Sequence, residues 1–159
     1  MEQKKPVRFW VRDDIENAIK EQNIDRSRFH EFSKLEYTDI IRRFYFTFSD
    51  IKNFVPSHPS LAYIDMHFRS ELKKEVIDCF FRTDDWSEYL KTIKDAIPDK
   101  NCKLFMILYE GWVYEGYPDE LFNVLENVCN IRDFYIVSPK FEWFIAVSYI
   151  EDYAELYQK

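Results

Sequence analysis

Asp133-Phe134-Tyr135-Ile136-Val137-Ser138-Pro139-Lys140-Phe141-Glu142-Trp143-Phe144-Ile145-Ala146-Val147-Ser148-Tyr149 is the stretch that decides the fold. Its two arms, Asp133 to Ser138 and Trp143 to Tyr149, are rich in aromatic and β-branched residues, which fit a pleated, half-buried surface. Between them Pro139 suits the second position of a type I turn over Ser138-Pro139-Lys140-Phe141, so the segment reads as two consecutive antiparallel strands. Working outward, Lys103 to Tyr109 is a nearly unbroken apolar run of the kind found in the middle of a sheet. Pro118 opens a helix with the stripe Leu121, Phe122, Leu125 and Val128, and its first turn carries acids where the helix dipole favours them. A short amphipathic tail, Asp152 to Tyr157, is expected as a final helix.

Toward the start of the chain, Asp13 with Glu16 has capping-box spacing, and Ile15, Ala18, Ile19 and Gln22 predict a helix from about Asp14 to Asn23. Phe29, Phe32 and Leu35 suggest a second short helix. From Ile41 to Phe48, Phe44, Phe46 and Phe48 alternate with Tyr45 and Thr47, which predicts a strand with one face buried. The residues from Leu61 to Phe68 fit both periods and stay open, while helix formers favour a helix from about Ser70 to Phe80. Asp84 and Asp85 offer caps for a helix through Tyr89, Leu90, Ile93 and Ile97, stopped by Pro98. This order of elements predicts an α+β fold, a single mostly antiparallel sheet with several packed helices.

At 159 residues, with two glycines and no low-complexity stretch, the sequence is expected to form one domain, 1–159, burying roughly two thirds of its unfolded surface. The start, Met1 to Pro6, is charged and polar, with none of the apolar run of an export signal. Neither Leu104 to Tyr109 nor Trp143 to Ile150 reaches the roughly 18 apolar residues of a membrane span. A cytoplasmic location is the expectation, with no membrane partner. Cys79, Cys102 and Cys129 are odd in number and scattered, and read as small core hydrophobes rather than a disulfide or zinc framework.

The net charge is −7, and all of it lies in the last third, where ten acids from Glu110 onward face Arg132, Lys140 and Lys159. Residues 1–109 carry 19 acids and 19 bases. Such an excess disfavours nucleic acid and favours a basic partner, although a modest acidic excess also simply keeps a chain dissolved.

Catalytic signatures are missing from the sequence. Gly111 and Gly116 have P-loop spacing, but Tyr117-Pro118 follow where Lys and a hydroxyl are required. Asp65 and His67 lack a further metal ligand nearby, and no cysteine or serine stands in a nucleophile context. The acid pairs Asp13/Asp14, Asp84/Asp85, Asp119/Glu120 and Glu151/Asp152 all fall where helices are expected to begin, so capping accounts for them. No cofactor, metal or catalytic residue is assigned. The most unusual cluster is Glu110-Gly111-Trp112-Val113-Tyr114-Glu115-Gly116-Tyr117, where aromatic anchors and acids lie between the two glycines. Exposed on a loop, these rings would anchor a protein partner; folded back, they would close the core.

The pattern Phe134-Tyr135-Ile136-Val137 through Trp143, preceded by an apolar strand and the Tyr114 to Tyr117 loop, resembles small bacterial proteins grouped with the immunity proteins of polymorphic toxin systems. The resemblance covers about the last sixty residues. It implies a non-catalytic protein that neutralises a toxin by binding it. Trp112, Tyr114, Glu115, Tyr117, Asp119 and Trp143 are the expected partner-binding residues, with a basic toxin domain as partner. A small-molecule binding module with an aromatic pocket is the alternative, and the oligomeric state stays open.

Overall fold

The computed structural model describes residues 11–49, 75–108, 111–128, 131, 133–148 and 153–158. In chain order the elements are α1 (Val11–Glu21), β1 (Phe29–Glu31), α2 (Lys34–Phe48), β2 (Glu75–Phe81), α3 (Trp86–Asp95), β3 (Leu104–Leu108), β4 (Val113–Gly116), α4 (Pro118–Asn127), β5 (Phe134–Val137), β6 (Trp143–Ser148) and β7 (Tyr153–Gln158). The strands form one sheet in the order β1-β4-β3-β5-β6-β7-β2. Every neighbouring pair is antiparallel. The fold is α+β, as the sequence predicts.

Cross-strand partners share a face, so the register sorts the side chains into two layers. Leu104, Met106 and Leu108, with Tyr114, Phe134, Ile136, Ile145, Val147, Ala154 and Leu156, pack with Ile15 and Ile19 of α1, Leu90 and Ile93 of α3, and Leu121 and Leu125 of α4. On the other face Ile107, Val113, Tyr135, Val137, Phe144 and Tyr157 pack with Tyr37, Ile41, Phe44, Tyr45 and Phe48 of α2. A sheet covered on both sides keeps its central strands apolar throughout, and every residue of β5 and β6 is buried. Phe144 anchors the α2 side, with its ring 5.1 Å from Phe44, 4.6 Å from Phe48 and stacked on Tyr157 at 4.6 Å.

The hairpin and the later helices follow the sequence reading. The Phe141 N–H donates to the Ser138 carbonyl at 3.0 Å across the expected turn. Phe141 takes the left-handed conformation, φ 55°, which is rare for a bulky residue. Its ring is buried against Phe105, with the Arg43 guanidinium 4.4 Å above it. Asp85 caps α3 by accepting from the Ser87 and Glu88 amides, and Pro118 stands in the first turn of α4.

Four expectations are corrected. Ile41 to Phe48 is not a strand but the second half of α2, because Tyr37, Ile41, Phe44, Tyr45 and Phe48 lie on one helical stripe and are the buried positions. Phe29–Glu31 is strand β1 rather than helix. From Glu75 onward the expected helix 70–80 is strand β2, whose inward residue Phe80 faces Ala154 across the pair; the remainder of that helix lies outside the described residues, as does 61–68. The tail is strand β7, inserted between β6 and β2.

The two glycines serve the β3–β4–β1 corner. Gly111 turns the chain between β3 and β4 at φ 93°. Gly116 lets β1 approach, since a Cβ there would stand 2.4 Å from the Phe29 ring and 2.9 Å from the Arg28 carbonyl oxygen. Gly116→Ala is therefore expected to cost about 1–3 kcal/mol, the usual penalty of overpacking. Thermal unfolding measures it, and an unchanged melting temperature would mean that β1 does not dock on β4.

Candidate functional site

The six residues expected to bind a partner do not form one patch. Tyr114 is fully buried on β4, stacked on Phe29 with ring centroids 5.3 Å apart, and its hydroxyl donates to Glu16 at 3.1 Å. Burial and the Glu16 carboxylate push the Tyr114 phenol well above the ordinary tyrosine range. Trp143 is 7% exposed on β6, three strands away, in the α1–α3–α4 layer. Neither ring offers a face to a partner in this structure, which corrects their assignment as surface anchors. Trp112 is half-buried between the two cores.

The acids of this corner are engaged by bases from earlier in the chain. Glu115 meets Nε2 of His30 at 3.3 Å and Nζ of Lys103 at 3.9 Å. Glu120 accepts from the Arg28 guanidinium, which also lies 4.2 Å over the Tyr117 ring. A charge excess that is sharp along the sequence is thus interleaved with positive charge in space.

A second set of polar residues ties α1, β1, α2 and β4 together. Arg12 grips the Glu31 carboxylate with Nε and a terminal nitrogen at 2.8–3.0 Å, and the Tyr37 hydroxyl donates to the same carboxylate. The Glu31 contact holds the guanidinium of Arg12 more firmly protonated than usual. Burial, followed by the Glu31 hydrogen bond, raises the phenol of Tyr37 far above its ordinary value. Bidentate pairs of this kind give geometric definition, and here they clamp the short strand β1 between two helices. Sequence reasoning missed these residues because each pair is brought together only by the fold.

Asp119 is the one predicted acid that opens onto a groove. Antiparallel helices α3 and α4 pack through Leu90 and Phe122, with the Trp86 indole N–H donating to the Leu125 carbonyl at 3.0 Å. Above this contact lies a groove of about 640 Å³ whose charged lining is Asp85, Glu88, Asp95, Asp119 and Glu126 against Lys91 and Lys94. Five carboxylates facing two ammonium groups give it a formal charge of −3. Lys94 pairs with Asp119 at 2.7 Å, while no ion pair engages Glu88, Asp95 or Glu126 among the described residues. The groove is open, with charged side chains around an apolar floor. No group of metal-ligating side chains occurs among the described residues. Asp65 and His67 lie outside them, as do Glu110, Glu151, Asp152 and Cys129. Cys79 and Cys102 are half-buried rather than core residues.

The Lys94 hydrogen bond, followed by its charge, holds the Asp119 carboxyl below the usual aspartate range. A depressed folded-state value contributes stability above the ordinary carboxylate range, lost as pH falls through the folded value. Lys94→Met is expected to move the Asp119 titration upward when followed by carboxyl NMR. The stability difference between the two proteins should vanish on acidification. An unmoved titration would mean that the pair does not persist in solution.

No helix among the described residues is long and apolar enough to cross a membrane. No curated protein and no solved structure matches the chain. Residues 8–159 match the model of a family of unknown function, DUF6756, and the chain belongs to that family.

Proposed function

We propose that this chain is a non-catalytic, cytoplasmic protein-binding domain whose α3–α4 groove receives a basic segment of a protein partner. The observation that carries this reading is the convergence, around one groove, of five carboxylates and two lysines over an apolar floor of Leu90 and Phe122. Charge of one sign in a concave surface raises the local concentration of the opposite sign and speeds encounter. The resemblance to immunity proteins supplies the partner class, a basic toxin domain occluded by direct contact.

The reading moves the binding surface away from the Trp112–Tyr117 corner. Of the residues first expected to bind, Asp119 stays at the centre and Tyr117 and Trp112 stand apart on the β4 side. The aromatic pocket of the alternative has less support, because the large rings of the α2 layer are packed on one another, as in the Phe44, Phe48 and Phe144 cluster.

The test is kinetic. A partner is captured from the native lysate and identified, and its association is followed at low and moderate salt. Asp119→Lys combined with Glu126→Lys is expected to slow association by about tenfold or more at low salt, with the difference shrinking as salt screens it. Glu115→Gln, which leaves the groove intact, should leave the rate unchanged. Equal on-rates for parent and groove variant would remove the groove from recognition.

A further inference from the structure

The charge of the α3–α4 groove is divided unevenly along its length. Two contacts fix which residues share an end: the Trp86 indole donates to the Leu125 carbonyl at 3.0 Å, and Lys94 pairs with Asp119 at 2.7 Å. The start of α3 therefore lies beside the end of α4, and the lining residues sort by their place along the two helices. Asp85, Glu88 and Glu126 stand at the Trp86 end, and no lysine or arginine lines it with them. Arg82, whose guanidinium lies 6.0 Å over the Trp86 ring, is outside the lining. Lys91, Lys94, Asp95 and Asp119 stand toward the other end, two cations with two anions. The whole formal charge of the groove thus sits at one end, and the other end is balanced.

The groups without a partner follow the same division. Among the described residues no ion pair engages Glu88 or Glu126 at the acidic end, and none engages Lys91 beyond it. Glu88, Lys91 and Asp95 share one face of α3 by their spacing. From the helical rise, roughly 12 Å of helix axis separates Trp86 from Lys94. An extended chain presents alternate side chains to one side, about 6.6 Å apart. Three such side chains match the length of the groove, the first level with Asp85 and Glu126, the second with Glu88 and the third with Lys91 and Lys94.

We propose that the groove reads the order of charges in its ligand. Resting on the function proposed above, in which a basic segment of a protein partner enters the groove, that segment is extended, basic at two alternate positions and acidic at the next. The basic pair meets Asp85, Glu88 and Glu126, and the carboxylate meets the Lys91 ammonium. A segment basic at all three positions sets a cation against Lys91 and Lys94, so the lysines select against it. Lys91 is the specificity-determining residue of the groove.

End-capped peptides of equal net charge, Arg-Ser-Arg-Ser-Glu and Arg-Ser-Glu-Ser-Arg, test this when titrated into the isotopically labelled full chain at low salt and followed by amide chemical shifts. The first is expected to bind the groove about threefold more tightly, the scale of one exposed ion pair. The affinity of Arg-Ser-Arg-Ser-Arg relative to Arg-Ser-Arg-Ser-Glu should rise about fivefold in Lys91→Glu, which turns the selecting charge around. Arg42→Glu, on α2 across the sheet, makes the same change of net charge and should leave that ratio nearly unmoved. Circular dichroism shows that both variants keep the fold. Equal affinities for the first two peptides would overturn the ordering and leave the groove a general site for cationic segments. So would a ratio that Lys91→Glu moves no more than Arg42→Glu does. Shifts that avoid the groove, or no binding of any peptide, would overturn the ordering and the groove's role in recognition together.

Discussion

The constraint on which the structure depends is that its antiparallel sheet is covered on both faces. A sheet of this type commonly leaves one face to water and shows it as alternation. Here β5 and β6 are buried on every residue, so each face must be covered, one by α1, α3 and α4 and the other by α2. The aromatic richness of the sequence follows from this demand. Phe44, Phe48, Tyr135, Phe144 and Tyr157 fill the layer between α2 and the sheet with mutually packed rings, in geometries that add to the burial of their area.

This constraint also explains which elements were legible in the sequence. The centre of the sheet, β3, β5 and β6, announces itself because a strand buried on both faces is an unbroken apolar run. Helices α3 and α4 announce themselves through Asp85 and Pro118, local signals that need no tertiary context. Helix α2 misleads because the residues that cover a sheet of aromatics are themselves aromatic. Phe44, Phe46 and Phe48 alternate like a strand, yet the buried positions 37, 41, 44, 45 and 48 follow the helical period and Phe46 is exposed. Strand β2 misleads in the opposite sense: as an edge strand it buries only Phe80, so no alternation survives to mark it. Strand β1 is three residues long, too short for any period, and is held by Gly116 and the Arg12–Glu31–Tyr37 clamp rather than by propensity.

The candidate site was legible only in part. Asp119 was read as an acid near a partner surface, and it lines the groove. Glu115 and Tyr114 were read from the same stretch, but the fold delivers His30, Lys103 and Glu16 to them from elsewhere and closes them off. The groove could not be read at all, because it exists only where Glu88 and Asp95 of α3 come alongside Asp119 and Glu126 of α4. Adjacency in sequence placed the acids correctly in number and wrongly in space. What distinguishes the groove is that its carboxylates outnumber the lysines beside them, whereas at the β1–β4 corner each acid has a cation of its own.

Recognition through the α3–α4 groove requires a cation-rich ligand to meet the surface there. The most direct measurement is a titration of the isotopically labelled protein with a lysine-rich peptide, followed by amide chemical shifts at low salt and repeated at moderate salt. Shifts are expected to concentrate on the groove-facing residues of α3 and α4, around Lys94, Asp119 and Asn123, and to fade as salt rises. Shifts confined to the Trp112–Tyr117 corner, or spread evenly over the surface with no preference for the groove, would contradict it.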